Sequence, residues 1–187
     1  GTWESEGEFL SHEPQEDILN ILEEFRQGFK SIWTDEEFKI NLGKVFVIGS
    51  SFGGTTALMS SLNEKIDKVI ALCPPVDWAN QEETEPLDDF KKIVRNGYTG
   101  AYRFSDENWD KLESGKFFNP INHTKDFDPK KILIIHSEDD EVVLYGPVKK
   151  FANDIKCIFI SRKKGGHVSS SLLMKWGMWR RIKKFLV

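Results

Sequence analysis

The ten residues VFVIGSSFGG, at positions 45–54, decide the fold of this chain. An apolar run leads into a G-x-S-x-G pattern made by Gly49, Ser51 and Gly53, and residues 55–62 then suit a short helix. Glycine on either side of the serine removes side chains that would collide when the helix folds back beside the strand. The stretch predicts a strand, a tight turn and a helix. The Ser51 hydroxyl lies at the turn, with the first N–H groups of the helix aimed toward it.

Two other interpretations of the same stretch are an ordinary flexible turn and a phosphate-cradling loop. The second is disfavoured, because no Lys-Ser or Lys-Thr pair follows as a P-loop requires. The pattern alone does not separate a nucleophile from a plain turn, so the rest of the chain has to decide.

Composition limits the class of protein. The chain of 187 residues is expected to form one domain, 1–187, and its 39% hydrophobic and 30% charged residues are typical of a globular protein. No apolar stretch approaches the roughly 18 residues of a membrane span. A net charge of −4 gives no electrostatic case for nucleic acid. We therefore expect neither a membrane nor a nucleic-acid partner.

The chain has two cysteines, Cys73 and Cys157, and each lies in an apolar run. Such positions favour buried free thiols, and the pattern predicts neither a disulfide framework nor a metal site. A cytoplasmic location and the absence of any cofactor or metal ion are the resulting expectations.

Four short apolar runs predict four buried strands, at 44–49, 68–73, 131–136 and 155–160. A helix is predicted from Pro14 to about residue 33. A last helix opens at Ser169 or Ser170, with its predicted inner side at Leu172, Leu173, Trp176, Trp179, Ile182 and Phe185. Alternating strands and helices predict an α/β fold, a parallel sheet flanked by helices on both faces.

Residues 77–128 interrupt this alternation with a long, charged and aromatic insertion. Asp88 to Val94 and Asp106 to Leu112 suit short helices. The insertion could line the approach to a site or pack as a small subdomain, and the sequence leaves both open.

A serine nucleophile needs a histidine base, and the base needs a carboxylate partner. In a parallel sheet, functional groups gather beyond the carboxyl ends of the strands. His167 follows the fourth strand in a Gly-Gly-His loop, so it is the favoured base, whereas His136, at the end of the third strand, suits a structural hydrogen bond. Asp140 and Asp77 both follow strand ends and are rival acids.

These motifs together resemble the α/β-hydrolase superfamily, and within it small bacterial-type esterases and the prolyl-oligopeptidase-like and dienelactone-hydrolase-like catalytic domains. The family's acid segment reads His-Gly-x-x-Asp-x-x-Val, and Asp140 and Val143 match it, although Ser137 stands where glycine is common. The resemblance implies Ser51 as nucleophile, Asp140 as acid and His167 as base, in the family's chain order.

The resemblance is incomplete at the front of the chain. The family sheet usually has eight strands, and this sequence supplies only the last four. Phe52 would provide one oxyanion N–H, while the other donor would precede Gly1. We expect an omitted N-terminal segment rather than a reduced fold, because a reduced fold would leave the strand at 44–49 as an open apolar edge.

The expected function is a serine hydrolase that cleaves a carboxylic ester, or a thioester or amide, through a Ser-His-Asp triad and an acyl-enzyme. Its substrate would be a small ester or a short peptide. The alternatives are a serine peptidase of the prolyl-oligopeptidase-like group and a non-catalytic binding or scaffold protein that keeps the fold. A homo-oligomer is compatible with each of them, and a nucleotide-binding protein is a weaker alternative.

Overall fold

The computed structural model describes residues 1–80, 87–98, 100–167 and 170–187. The strands are β1 (Phe29–Lys30), β2 (Glu37–Phe38), β3 (Phe46–Ser50), β4 (Lys68–Leu72), β5 (Ile132–Ser137) and β6 (Ile158–Arg162). The α-helices are α1 (Gln15–Gln27), α2 (Phe52–Ser60), α3 (Leu87–Gly97), α4 (Asp106–Glu113), α5 (Tyr145–Asp154) and α6 (Trp176–Leu186). Short 3₁₀ helices span Pro120–His123, Pro129–Lys131 and Ser170–Met174.

The main sheet has the order β3-β4-β5-β6, and every neighbouring pair is parallel. All six residues of β5 are buried, as are four of the five in β4. One face of the two central strands packs into a core with α2 and α5, whereas the other face packs against α6. This confirms the predicted α/β architecture, a parallel sheet flanked by helices on both faces.

The outer strands are less covered than the sequence predicts. Phe46 and Ile48 of β3 are 37% and 43% exposed, and Ile158 of β6 is 51% exposed. Both strands are edges of the described sheet, so one side of each has no neighbour to pack against. Apolar runs alone do not distinguish such edges from central strands.

The first helix is shorter than predicted. It ends at Gln27 because Gly28 adopts φ 110°, which no helix allows. The chain then forms the antiparallel pair of β1 with β2, and Ile32 and Trp33 lie exposed between the two strands. The apolar spacing of these two residues is therefore not part of a helix face.

Two further element boundaries correct the prediction. The strand predicted at 155–160 begins only at Ile158, because Ile155 ends α5 and Lys156 turns the chain with φ 59°. In α6, Ile182 and Phe185 are buried as predicted, whereas Trp176 and Trp179 are 75% and 45% exposed. The last α-helix begins at Trp176 rather than at Ser170, where a short 3₁₀ helix begins, and the alternative start at Ser169 lies outside the described residues.

The insertion 77–128 has structure of its own where it is described. Both predicted helices are confirmed, as α3 and α4. Trp109 and Phe118 have no exposed surface, and they join the core cluster that contains α2. The insertion is thus anchored on the helix that follows the G-x-S-x-G turn. No helix in the described part of the chain is both long and apolar enough to cross a membrane.

Candidate active site

Ser51 lies in a strained turn between β3 and α2. Its backbone has φ 56° and ψ −124°, a combination that a residue with a side chain rarely adopts. The turn is held by the Ser51 N–H, which donates to the Leu72 carbonyl at 2.8 Å, and by the Ser51 carbonyl, which accepts from the Gly54 N–H at 2.8 Å. Within the described residues the hydroxyl makes no capping bond to α2, and Ser51 lines a cavity.

The sequence predicts that side chains in place of Gly49 and Gly53 would collide with the turn, and the structure confirms this for only one of them. A Cβ on Gly49 would lie 1.8 Å from the Gly53 carbonyl oxygen, so the predicted collision is confirmed there. A Cβ on Gly53 would meet nothing within 4 Å, and the prediction is wrong at that position. Gly54 is the second crowded site, because its added Cβ would lie 2.9 Å from the Leu72 carbonyl oxygen.

Asp140 and His167 are in direct contact. The Asp140 carboxylate oxygens lie 3.0 and 3.1 Å from Nδ1 of His167. The N–H groups of Val142 and Val143 each donate to Oδ1 of Asp140 at 3.0 Å, which fixes the carboxylate. The Asp140 side chain is fully buried, whereas 27% of the His167 side chain is exposed. This is the geometry in which a carboxylate orients an imidazole.

The contact changes the pKa of both groups. Burial alone would raise the pKa of the Asp140 carboxyl, but the hydrogen bonds from His167, Val143 and Val142 outweigh burial and lower it. The Asp140 carboxylate, and after it the Cys73 thiol, raises the pKa of His167 above its ordinary value. The site therefore stabilises an imidazolium beside a carboxylate.

His136 supports the acid from behind, as its predicted structural role requires. Its side chain is fully buried, and Nε2 donates to the Val143 carbonyl at 2.8 Å and lies 3.4 Å from Oδ2 of Asp140. Burial lowers the pKa of His136. A neutral ring with its proton on Nε2 therefore anchors the turn that carries Asp140.

Asp139 anchors the loop that carries His167. Its two carboxylate oxygens accept the N–H groups of Gly165 and Gly166, at 3.2 and 2.9 Å. The Gly166 and Gly165 N–H groups lower the pKa of Asp139. Two neighbouring aspartates thus hold the proposed base: Asp140 holds the ring of His167, and Asp139 holds the backbone of the loop before it. Sequence reasoning missed the role of Asp139.

Among the described residues no hydrogen bond joins Ser51 to His167. Nε2 of His167 instead lies 3.9 Å from Sγ of Cys73. Ser50 pairs with Leu72, so Ser51 and Cys73 are the next residues beyond two adjacent strand ends. The structure therefore places Ser51 and the Asp140–His167 pair at the same edge of the sheet. The sequence predicted Cys73 as a buried thiol, and only its place after a strand could have indicated a link to the site.

Asp77, the rival acid, is engaged elsewhere. Its carboxylate accepts from the N–H of Ala79 at 3.1 Å and from the side-chain amides of Asn80 and Asn119, at 2.7 and 3.3 Å. Such bonds are typical of an aspartate that closes its own turn. Of the two candidate acids, Asp140 is the one in contact with His167.

Phe52 begins α2, so its N–H is among the first helix donors, which have no partner inside the helix. Its ring lies 5.2–5.8 Å from the rings of Phe9, Trp78 and Phe118. A cavity of about 90 Å³ opens beside Ser51. Apart from Ser51, Asp77 and Asn80, its lining is apolar: Phe52, Pro75, Val76, Trp78, Phe90, Val142, Val143, Leu144, Pro147 and Val148.

Comparison with known proteins assigns the chain to a family. The sequence profile of the prolyl oligopeptidase family matches residues 12–176. The chain belongs to the prolyl oligopeptidase family. No curated protein sequence matches the chain.

Solved structures with the same fold include an esterase, Pf2001 from Pyrococcus furiosus, with a TM-score of 0.61 and 15% identity; the match covers 97% of this chain and 64% of that one. An acylaminoacyl peptidase from Pyrococcus horikoshii has a TM-score of 0.54 and 20% identity, over 91% of this chain and 26% of the peptidase. Identities this low show the fold alone, and they confirm the predicted α/β-hydrolase fold. This prolyl oligopeptidase family chain therefore matches less than two thirds of the length of either protein.

Proposed function

We propose that this chain carries the catalytic residues of a serine hydrolase, with Ser51 as nucleophile, His167 as general base and Asp140 as its orienting acid. The observation that carries the proposal is the contact of Asp140 with Nδ1 of His167, next to a strained serine turn at the same edge of the sheet. Membership of the prolyl oligopeptidase family supports the same chemistry.

The reaction begins with attack of the Ser51 hydroxyl oxygen on the carbonyl carbon of the substrate, while Nε2 of His167 takes the hydroxyl proton. The tetrahedral intermediate then expels the leaving alcohol, or amine, which takes that proton back from His167. Water attacks the acyl-enzyme by the same route and regenerates Ser51.

Each supporting group has a separate task. Asp140 keeps the proton of the neutral imidazole on Nδ1, which leaves Nε2 as an acceptor, and stabilises the imidazolium that forms. The Phe52 N–H is the proposed oxyanion donor from this chain, and one such donor contributes roughly 3 kcal/mol of transition-state stabilisation.

For the substrate we propose an ester with an apolar or aromatic acyl group. The cavity beside Ser51 is lined largely by apolar side chains. Phe52 and Phe90 also line a second cavity of about 260 Å³, whose other lining residues are Thr2, Phe9, Val94, Tyr98, Tyr102 and Trp109. Phe52 lines both cavities together with other apolar and aromatic side chains, and such linings favour an apolar acyl group of the substrate over a charged one.

A serine peptidase is the second candidate, and the match to the prolyl oligopeptidase family favours it. The two reactions use the same residues and differ in the leaving group. The non-catalytic alternative is motivated by the described geometry, in which Nε2 of His167 contacts Cys73 and no hydrogen bond to Ser51 is found among the described residues.

Labelling with a fluorophosphonate, followed by mass spectrometry of the purified chain, tests the proposal. We expect the label on Ser51 of folded protein, and none in Ser51→Ala or after heat denaturation. Folded protein that stays unlabelled, or a label that persists in Ser51→Ala, contradicts the proposal. Rates on p-nitrophenyl acetate, butyrate and octanoate, compared with an aminoacyl p-nitroanilide, then separate the esterase from the peptidase.

A further inference from the structure

We propose that Cys73 and His167 form a binding site for a thiophilic divalent cation of the zinc type, and that the bound cation blocks the active site. The inhibitory part rests on the proposed function, while the binding part does not. The cysteine pattern alone predicts no metal site, so this inference comes from the structure.

The separation of the Cys73 sulfur from Nε2 of His167 is close to the one that zinc requires of two of its ligands. Sγ of Cys73 lies 3.9 Å from Nε2 of His167, and one ligand atom from each of Cys73, His167 and Asp140 lies within 4.8 Å of the others. With tetrahedral angles, Zn–S of about 2.3 Å and Zn–N of about 2.05 Å place sulfur and nitrogen about 3.6 Å apart. A shift of a few tenths of an ångström in the partly exposed His167 ring brings the two atoms to that separation.

Asp140 completes the arrangement from behind. A zinc-bound histidine almost always donates its other ring N–H to a carboxylate or carbonyl, which fixes the ring and raises its basicity. Nδ1 of His167 already meets both oxygens of Asp140, at 3.0 and 3.1 Å. The imidazole is thus pre-oriented to present Nε2 to a metal ion, and water fills the remaining coordination positions.

Access and charge are compatible with an incoming cation. Cys73 is fully buried, but the His167 side chain is 27% exposed, so the ion reaches the sulfur from the histidine side. Cys73 follows β4 with φ 39°, a strained backbone position beside the serine turn. On binding, the thiol proton and the Nε2 proton of a charged His167 leave for solvent, and the thiolate and the neutral imidazole become ligands. The Asp140 carboxylate offsets the remaining positive charge.

The consequence for catalysis follows from the nitrogen involved. Nε2 is the atom that has to accept the Ser51 proton, and a metal ion bound there occupies its lone pair. A zinc-loaded enzyme would therefore keep its fold and its substrate cavity but lose its general base. Removal of the metal with a chelator would restore activity.

Cobalt(II) is the spectroscopic probe, because thiolate coordination gives an intense near-ultraviolet charge-transfer band. The chain contains two cysteines, so Cys157→Ala leaves Cys73 as its single thiol. We expect wild type and Cys157→Ala to develop this band at one cobalt per chain, and zinc to abolish it. Absence of the band from folded wild type or from folded Cys157→Ala overturns the proposal, without requiring a folded Cys73 variant.

The second measurement is hydrolysis of a p-nitrophenyl ester with increasing zinc, expressed for each protein relative to its own metal-free rate. We expect inhibition that EDTA reverses, and a zinc concentration for half-inhibition at least about tenfold higher in Cys73→Ser than in Cys157→Ala. Equal inhibition of both variants overturns the inhibitory role of this site. A cobalt band on a protein without hydrolase activity keeps the metal site and refutes the proposed function. Hydrolysis without a cobalt band refutes the metal site and leaves the proposed function in place.

Discussion

Replacing Asp140 by asparagine changes one atom at the centre of the proposed site. Oδ1 accepts the N–H groups of Val142 and Val143, both at 3.0 Å, so the asparagine oxygen is held at that position. Its NH₂ group then occupies the place of Oδ2, which lies 3.0 Å from Nδ1 of His167. Oδ1 also lies 3.1 Å from Nδ1, but it already accepts two backbone N–H groups, so the NH₂ group at the nearer place favours an acceptor on Nδ1. The imidazole proton therefore moves to Nε2, and His167 can no longer take the Ser51 proton.

The size of the effect follows from this change of tautomer. In a Ser-His-Asp hydrolase the equivalent replacement keeps the geometry and lowers kcat about 10⁴-fold. That factor corresponds to about 5.4 kcal/mol of transition-state stabilisation. The fold loses much less, because the two backbone bonds to Oδ1 persist; exchanging one hydrogen bond to a charged group costs about 1.5–3 kcal/mol.

Initial rates of p-nitrophenyl ester hydrolysis at saturating substrate give kcat, and thermal unfolding checks that each variant is folded. Asp77→Asn is the matched control, since it makes the same chemical change in the rival acid. We expect it to retain most of the activity, because Asp77 closes its own turn. A folded Asp140→Asn that keeps more than a tenth of the wild-type kcat, or an Asp77→Asn that loses as much, would refute the assignment.

The remaining predictions concern the backbone supports of the site. Asp139→Ala removes the acceptor of the two glycine N–H groups before the proposed base. We expect kcat to fall by about tenfold or more, because small displacements of catalytic groups are costly. Asp139→Asn should keep part of the wild-type kcat, with KM unchanged. Thr55→Val removes the hydroxyl that donates to the buried Pro75 carbonyl at 2.6 Å, and it should lower the free energy of unfolding, measured in urea, by about 1–3 kcal/mol. Thr56→Val, in the same helix, should lower it less. Gly49→Ala should abolish fluorophosphonate labelling or folding, while Gly53→Ala, with open space around its Cβ, should be tolerated; equal effects of the two would contradict the crowding at the turn.

The four main strands could be predicted from sequence because buried strands leave short apolar runs, and their parallel direction because helices alternate with them. The ends of elements depend on single backbone angles instead. The apolar spacing through Ile32 and Trp33 predicted that the first helix continues to about residue 33. The positive φ of Gly28 ends the helix earlier, and both residues are exposed. The glycine was visible in the sequence, but its conformation was not.

The same limit applies to side chains at the site. The sequence places Cys73 at the end of a predicted strand, from its apolar run, and places His167 in a glycine-rich loop after another strand. Their approach to 3.9 Å depends on β4 and β6 lying on either side of β5, and on the two bonds from Gly165 and Gly166 to Asp139 that hold the loop after β6. Neither separation along the chain nor residue type carries that information.

The tandem of Asp139 and Asp140 shows what the fold adds to a motif. In sequence the two aspartates are adjacent members of a run of four acidic residues, and such a run is ordinarily a solvated turn; only the family's acid segment singles out Asp140. In the structure Asp140 turns inward to full burial and meets the imidazole, whereas Asp139 turns outward and accepts the N–H groups of Gly165 and Gly166. The second set of bonds ties the loop of Gly165 and Gly166 to the turn after β5, where the Asp140 carboxylate meets the ring of His167. Orientation of the base is therefore shared by both residues, because Asp140 holds the ring of His167 and Asp139 holds the backbone of the two glycines before it.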